Sequence, residues 1–190
     1  AERFRVSRGT IRSALAKLES EKFLEIKAGS GAFVIYETTA IPVSEVKNAN
    51  PLELIDARFA LEPHICRLAV LHGKKDQFEQ LETLVETMER SVKDPTQFSS
   101  ADSAFHQILS DCTGNNLLIW IINQINSVRG QDEWMRARHQ TLNETIIRTY
   151  NIQHRQILNA IRAREPEKAA AFMKEHLEIA RLSLTRAAGT

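Results

Sequence analysis

From Pro51 onward, apolar residues recur at spacings of three and four, and the few polar residues on those stripes constrain the fold most. Leu54, Ile55, Arg58, Leu61, Ile65, Leu68 and Ala69 share one stripe over 51–72. Phe105 and Leu109 share another with Asp102 and His106, which are four apart and so lie on one helical face. His154 stands with Ile157, Leu158 and Ile161, and His176 with Phe172, Met173, Leu177 and Ala180. Stripes of this width are buried by packing helix on helix, in a bundle. That bundle then holds three imidazoles and a carboxylate, and buried polar groups need partners. A divalent metal is the simplest partner for all four at once. Three nitrogens and one oxygen suit zinc foremost, with nickel, manganese or iron as alternatives, and leave coordination positions open.

Composition narrows the class. The chain has 190 residues, 43% hydrophobic and 26% charged, enough for one or two globular domains. A net charge of +1 means that any nucleic-acid signal must be local. Cys66 and Cys112 are too few for a disulfide framework and read as buried free thiols of a cytoplasmic protein. No apolar run suits a membrane span or a signal peptide. The sequon Asn143-Glu144-Thr145 reads as chance.

Three regions follow. Residues 1–36 read as a winged helix-turn-helix truncated at its N-terminus, residues 37–50 as a linker, and residues 51–190 as the helical domain. Ala1 to Arg5 reads as the tail of a helix that continues upstream. Ser7 caps a second helix with Ile11, Ala14, Leu15 and Leu18 on its stripe. Strand signals at 23–26 and 32–36 flank a turn at 28–31. In the helical region the periodicity predicts helices over 51–72, 76–92, 97–112, 115–130 and 151–163, and a last one opened by Pro166. The stretch 131–150 is ambiguous.

Arg3, Arg5, Arg8, Arg12 and Lys17 place five cations in the first seventeen residues. Arg8, Thr10 and Arg12 occupy the opening turns of the second helix, the part of a helix-turn-helix that enters the major groove. Lys27 and the tip at Gly29 and Gly31 suit close approach to phosphate or to the minor groove. A solvated basic helix is the plain alternative, but it explains neither the helix–hairpin order nor the glycine tip. Arg58 lies on a buried stripe, where a guanidinium needs an anion. Glu62, four residues on, is one partner, and an effector carboxylate beside the metal is the other. His64, His72 and His139 read as surface residues, and Trp120 and Trp134 as core or pocket wall.

The segment Val6-Ser7-Arg8-Gly9-Thr10-Ile11-Arg12-Ser13-Ala14-Leu15-Ala16-Lys17-Leu18-Glu19 resembles the recognition segment of the GntR family of bacterial transcription regulators. Gly29-Ser30-Gly31-Ala32-Phe33-Val34 resembles that family's wing. The resemblance implies DNA contacts at Arg8, Thr10, Arg12 and Gly29; the family's first helix has no counterpart here. Asp102 to Leu109, Gly114-Asn115, His154 to Ile161, Ala169 to Met173 and His176-Leu177 are similar to the ligand-sensing FCD domain of the FadR subfamily. That domain is an antiparallel helical bundle. Many members hold a metal on the matching Asp and three His and bind a small carboxylate against it; the subfamily's acyl-CoA sensors lack these ligands.

The expected protein is therefore mainly α, a partial winged helix-turn-helix followed by an antiparallel all-α bundle. Its expected function is regulation of transcription as a homodimer on a palindromic operator, controlled by a small organic acid at the metal. The rival reading is a small metal-dependent enzyme using the Asp/His site. It leaves the basic helix and glycine wing unexplained and offers no separate general base, and the Glu-x-x-His repeats of a di-iron enzyme are absent.

Overall fold

The structure, a computed structural model, describes residues 6–21, 23–27, 29–34, 49–129 and 141–188. The chain divides into two compact units, 1–44 and 45–190.

In the first unit, α1 (Arg8–Ser20) opens on Ser7, whose Oγ accepts from the Thr10 N–H at 3.0 Å. It is followed by an antiparallel hairpin of β1 (Leu24–Lys27) and β2 (Gly31–Val34), with Leu24 opposite Val34 and Lys27 opposite Gly31. Glu19 Oε1 accepts from the Ile26 N–H at 2.9 Å and ties the helix to the first strand. Gly29 and Gly31 have φ of +76° and +110°, and no atom lies within 4 Å of where a Cβ would stand. The turn therefore needs glycine for its backbone conformation rather than for space. The helix–hairpin order is as expected, with β1 starting at Leu24 and β2 at Gly31. Arg3, Arg5, Ile35, Tyr36 and the linker through residue 48 lie outside the described residues.

The second unit is a bundle of the helices that the periodicity predicts, antiparallel as the resemblance implies. It comprises α2 (Pro51–His72), α3 (Lys75–Arg90), α4 (Pro95–Asp111), α5 (Asn116–Arg129), α6 (Glu144–Arg162) and α7 (Pro166–Ala188). Helix α2 packs along α7, α3 against α4 and α6, α4 against α5, and α6 against α7. A capping box starts α2: Asn50 Oδ1 accepts from the Leu52 and Glu53 N–H groups at 2.9 and 3.0 Å, while the Asn50 N–H donates to Glu53 Oε2 at 2.9 Å. Helix α6 takes up the last part of the ambiguous stretch because Asn143 caps it, accepting from the Ile146 N–H at 3.0 Å. The sequon asparagine is thus a helix cap.

Ion pairs hold the helices that carry the candidate site. Arg155 of α6 grips Glu82 and Glu89 of α3, and Arg162 also reaches Glu82. Arg67 of α2 pairs with Glu167 of α7 through two bonds of 2.8 Å, and Arg181 of α7 pairs with Asp56 of α2. At the α6–α7 turn, Arg164 takes a φ of 59° and donates to the Val70 carbonyl at the end of α2.

One expectation needs correction. Trp120 is 40% exposed: α5 turns Ile122, Ile125 and Val128 inward and leaves Leu117 and Trp120 on its outer side. Trp134 lies outside the described residues. Gly73 does end α2, but at φ −62°, not in the left-handed conformation of the usual glycine cap. Its reason is space, since a Cβ there would stand 2.5 Å from the Ala69 carbonyl oxygen and 2.5 Å from the Phe78 ring. Gly73→Ala should therefore lower stability by about 1–3 kcal/mol, the usual cost of overpacking. Urea denaturation of the two proteins measures it, and equal midpoints would refute the crowding.

Candidate metal centre

Three helices converge on one point inside the bundle. Helix α4 supplies Asp102 and His106, α6 supplies His154, and α7 supplies His176; their exposures are 1, 2, 0 and 2%. One ligand atom from each lies within 4.8 Å of all the others. The periodicity places these side chains inward because each shares its helical face with core residues: Phe98, Phe105, Ile157 and Leu177 are all fully buried. Phe105 stands edge-on to His154 at 4.9 Å between ring centroids and forms an apolar wall.

Each imidazole is oriented through its Nδ1. His154 Nδ1 lies 2.8 Å from the Tyr150 carbonyl oxygen, which can only accept, so Nδ1 carries the proton. His176 Nδ1 lies 3.2 Å from Gln153 Oε1, and His106 Nδ1 lies 2.8 Å from Glu62 Oε2. In a neutral imidazole an Nδ1 that donates in this way leaves Nε2 as a lone pair directed inward. Two of those lone pairs face Asp102 Oδ1, at 3.1 Å from His154 and 3.6 Å from His106, and neither Nε2 makes a hydrogen bond. Acceptor facing acceptor in a dry interior is unfavourable unless a cation stands among them. Burial pushes His154 below the ordinary imidazole range, against the opposing pull of Asp102. It pushes His176 well below, helped by the neighbouring His154 and His106. A proton is therefore the poorer cation here. The donor set, three neutral imidazoles and one carboxylate, fits a divalent transition metal.

A second layer supports the first. Arg58 of α2 is 2% exposed and donates from Nε and Nη2 to the two oxygens of Glu62, at 2.7 and 3.3 Å. Burial alone would raise the Glu62 carboxyl, but Arg58 and then His106 hold it well below the carboxylate range. Arg58 thus has the partner four residues on, while its Nη1 makes no hydrogen bond among the described residues. Sequence reasoning reached Glu62 only as a partner of Arg58, not as the group that orients His106, and it missed Gln153. The available signals were the four-residue spacing of Arg58 and Glu62 and the adjacency of Gln153 to His154. His64 and His72 are exposed as expected; His139 lies outside the described residues.

In the other unit, Arg8, Thr10 and Arg12 are exposed on the first two turns of α1, with Arg8 and Arg12 one helical turn apart. Thr10 Oγ1 is 2.9 Å from Ser7 Oγ, so it is engaged with the helix cap. Gly29 stands at the tip of the hairpin.

An exposed basic helix with a glycine-tipped hairpin, followed by a bundle with a buried Asp/His cluster, is the two-part arrangement of a regulator. Comparison with known proteins agrees. Residues 53–179 match the FCD domain, and residues 1–34 match the bacterial regulatory proteins of the gntR family. The chain belongs to the gntR family, in the group that carries an FCD domain, and is a DNA-binding transcriptional regulator. It is similar to the Uxu operon regulator of Haemophilus influenzae, with 29% identity over 187 residues, 97% of this chain and 70% of that protein. It is also similar to the Exu regulon transcriptional regulator of Escherichia coli K12, with 28% identity over 196 residues, 97% of this chain and 74% of that one. Among solved structures, a GntR of Streptococcus agalactiae aligns at a TM-score of 0.61 and 27% identity, over 96% of this chain and 85% of that one. No helix among the described residues is long and apolar enough to cross a membrane.

The lowered His154 and His176 values have a consequence for metal-free protein. Below the ordinary imidazole value of 6.5, the unfolded chain takes up protons that the folded one refuses. Stability is then full above that pH and is lost as pH falls toward the folded values, with a slope of up to about 1.4 kcal/mol per pH unit for each histidine. Denaturation in EDTA at pH 7.5, 6.5 and 5.5 should show little change over the first step and a clear loss over the second, and His154→Ala should reduce that loss. A pH-independent midpoint would contradict the buried neutral imidazoles.

Proposed function

We propose that the protein is a cytoplasmic, homodimeric repressor or activator of the FadR subfamily whose hold on a palindromic operator is set by a small organic acid bound beside a metal in the bundle. The observation that carries this reading is the inward set of Nε2 lone pairs around Asp102. Asp102, His106, His154 and His176 would hold one divalent ion, zinc foremost, with nickel, manganese or iron as alternatives. When bound, it supplies a positive centre with open positions for a carboxylate. Arg58 offers the unused Nη1 edge of its guanidinium to the same carboxylate, while Glu62 fixes the other edge. Residues 51–190 would form the sensing domain and residues 1–36 the DNA-binding domain, joined by a linker over 37–50. Operator contacts are assigned to Arg8, Thr10, Arg12 and the Gly29 tip, supported by their exposure and by the family match at 1–34.

Control follows from linkage. An acid that binds one spacing of the two winged helices more tightly than another shifts the population toward it, and operator affinity changes by the same factor. A turnover reading has no support in the family, which is one of regulators.

Full-length protein should select a palindromic site from a random-sequence pool, with affinity that falls steeply as salt rises. Arg12→Ala should weaken that complex by about 1–3 kcal/mol without changing the melting temperature. Failure to select any sequence would sink the operator reading. For the sensing domain, a thermal-shift screen of small carboxylates on metal-loaded protein identifies the acid. Arg58→Lys should then weaken it by about 1–3 kcal/mol, the range for a charge-assisted hydrogen bond, and leave metal content unchanged. Equal affinity by calorimetry would make Arg58 structural only.

A further inference from the structure

Among the described residues, the charged side chains more than nine-tenths buried are Arg58, Glu62 and Asp102, with exposures of 2, 3 and 1%. They form one cluster. Arg58 lies 2.7 Å from Glu62, Glu62 lies 2.8 Å from His106, and His106 and His154 lie 3.6 and 3.1 Å from Asp102. Cys66, beside Glu62, stays a neutral thiol because burial pushes its pKa well up. Imidazoles must be neutral to ligate a metal. The cluster therefore carries one positive and two negative charges, a net of −1, and a divalent ion turns that to +1. Uncompensated charge in a dry interior is costly.

We infer that the site is charge-matched to a monoanion: one carboxylate, taken up only after the metal, brings the buried charge to zero. This rests on the metal reading above. A dianion would leave the loaded site at −1, and even a monoanion entering the metal-free site would bring it to −2. Glu62 sets this preference. Without its charge, Arg58 and the metal outweigh Asp102 by two units, and the site suits a dicarboxylate. Glu62 thus acts as a specificity-determining residue through the charge that it cancels, not through contact with the acid.

Two probes separate the cases: 2-hydroxybutanoate and malate share a four-carbon 2-hydroxy acid skeleton and differ by one carboxylate. Full-length protein is stripped with chelator, loaded with one equivalent of zinc and titrated with each at pH 7.5 by calorimetry, with zinc retention checked afterwards by elemental analysis. The loaded protein should bind 2-hydroxybutanoate at least tenfold more tightly than malate, and the stripped protein should bind neither. Glu62→Gln keeps one oxygen, which at the Oε2 position still faces Arg58 Nη2 and His106 Nδ1, but loses the charge and the acceptor for Arg58 Nε, and it should move the ratio at least tenfold toward malate. Equal or tighter malate binding, binding of either acid to stripped protein, binding of neither to loaded protein, or an unmoved ratio in folded Glu62→Gln would each overturn the inference. If that variant does not fold, the wild-type ratio and its metal dependence still decide. Failure to take up zinc, read before any acid is added, strikes instead at the metal reading.

Discussion

The helical unit is organised around two nitrogen lone pairs that face one carboxylate oxygen. His154 and His106 turn Nε2 toward Asp102 Oδ1 at 3.1 and 3.6 Å, and both are held that way from behind, by the Tyr150 carbonyl and by Glu62. Nothing in the apolar wall of Phe98 and Phe105 offsets the repulsion of those acceptors. A bundle that folds this way concentrates an unfavourable contact at its centre and gains from any cation that relieves it. A ligand that binds only the folded state adds stability that grows as the logarithm of its concentration relative to its dissociation constant. A metal bound as proposed would tie its occupancy to how firmly α4, α6 and α7 are held together.

The surrounding frame resists collapse of that centre. Arg155 and Arg162 join α6 to α3, while Arg67 and Arg181 join α2 to α7 from both helices. Exposed pairs of this kind contribute little stability individually. Their effect here is positional: they fix the register of the helices that carry His154, His176 and Arg58. A carboxylate binding there as proposed, between Arg58 and a bound metal, would meet groups already oriented, which reduces the ordering cost of binding.

Much of this was legible in the sequence because a histidine on an apolar stripe is conspicuous. Asp102 and His106 are joined by helical spacing, and His154 and His176 each interrupt a run of Ile, Leu or Met, so all four could be placed inward from one dimension of information. The contacts of Glu62 and Gln153 could not, because what each touches lies on another helix, and periodicity within one helix is silent about its neighbours. Gly73 is a similar case: it ends α2, and the reason lies in the approach of Phe78 from the next helix. Trp120 misled because large aromatic residues are usually buried, whereas α5 has enough inward residues in Ile122, Ile125 and Val128 to leave its tryptophan outside. At the other end of the chain, Arg8, Arg12 and the glycine tip were legible from order and spacing alone.

Anomalous diffraction from crystals grown with one equivalent of zinc tests the central claim most directly. A metal-binding centre gives one strong peak, about 2.0–2.2 Å from Nε2 of His106, His154 and His176 and from an oxygen of Asp102. No peak among those four side chains, or a peak only at exposed residues, would contradict it.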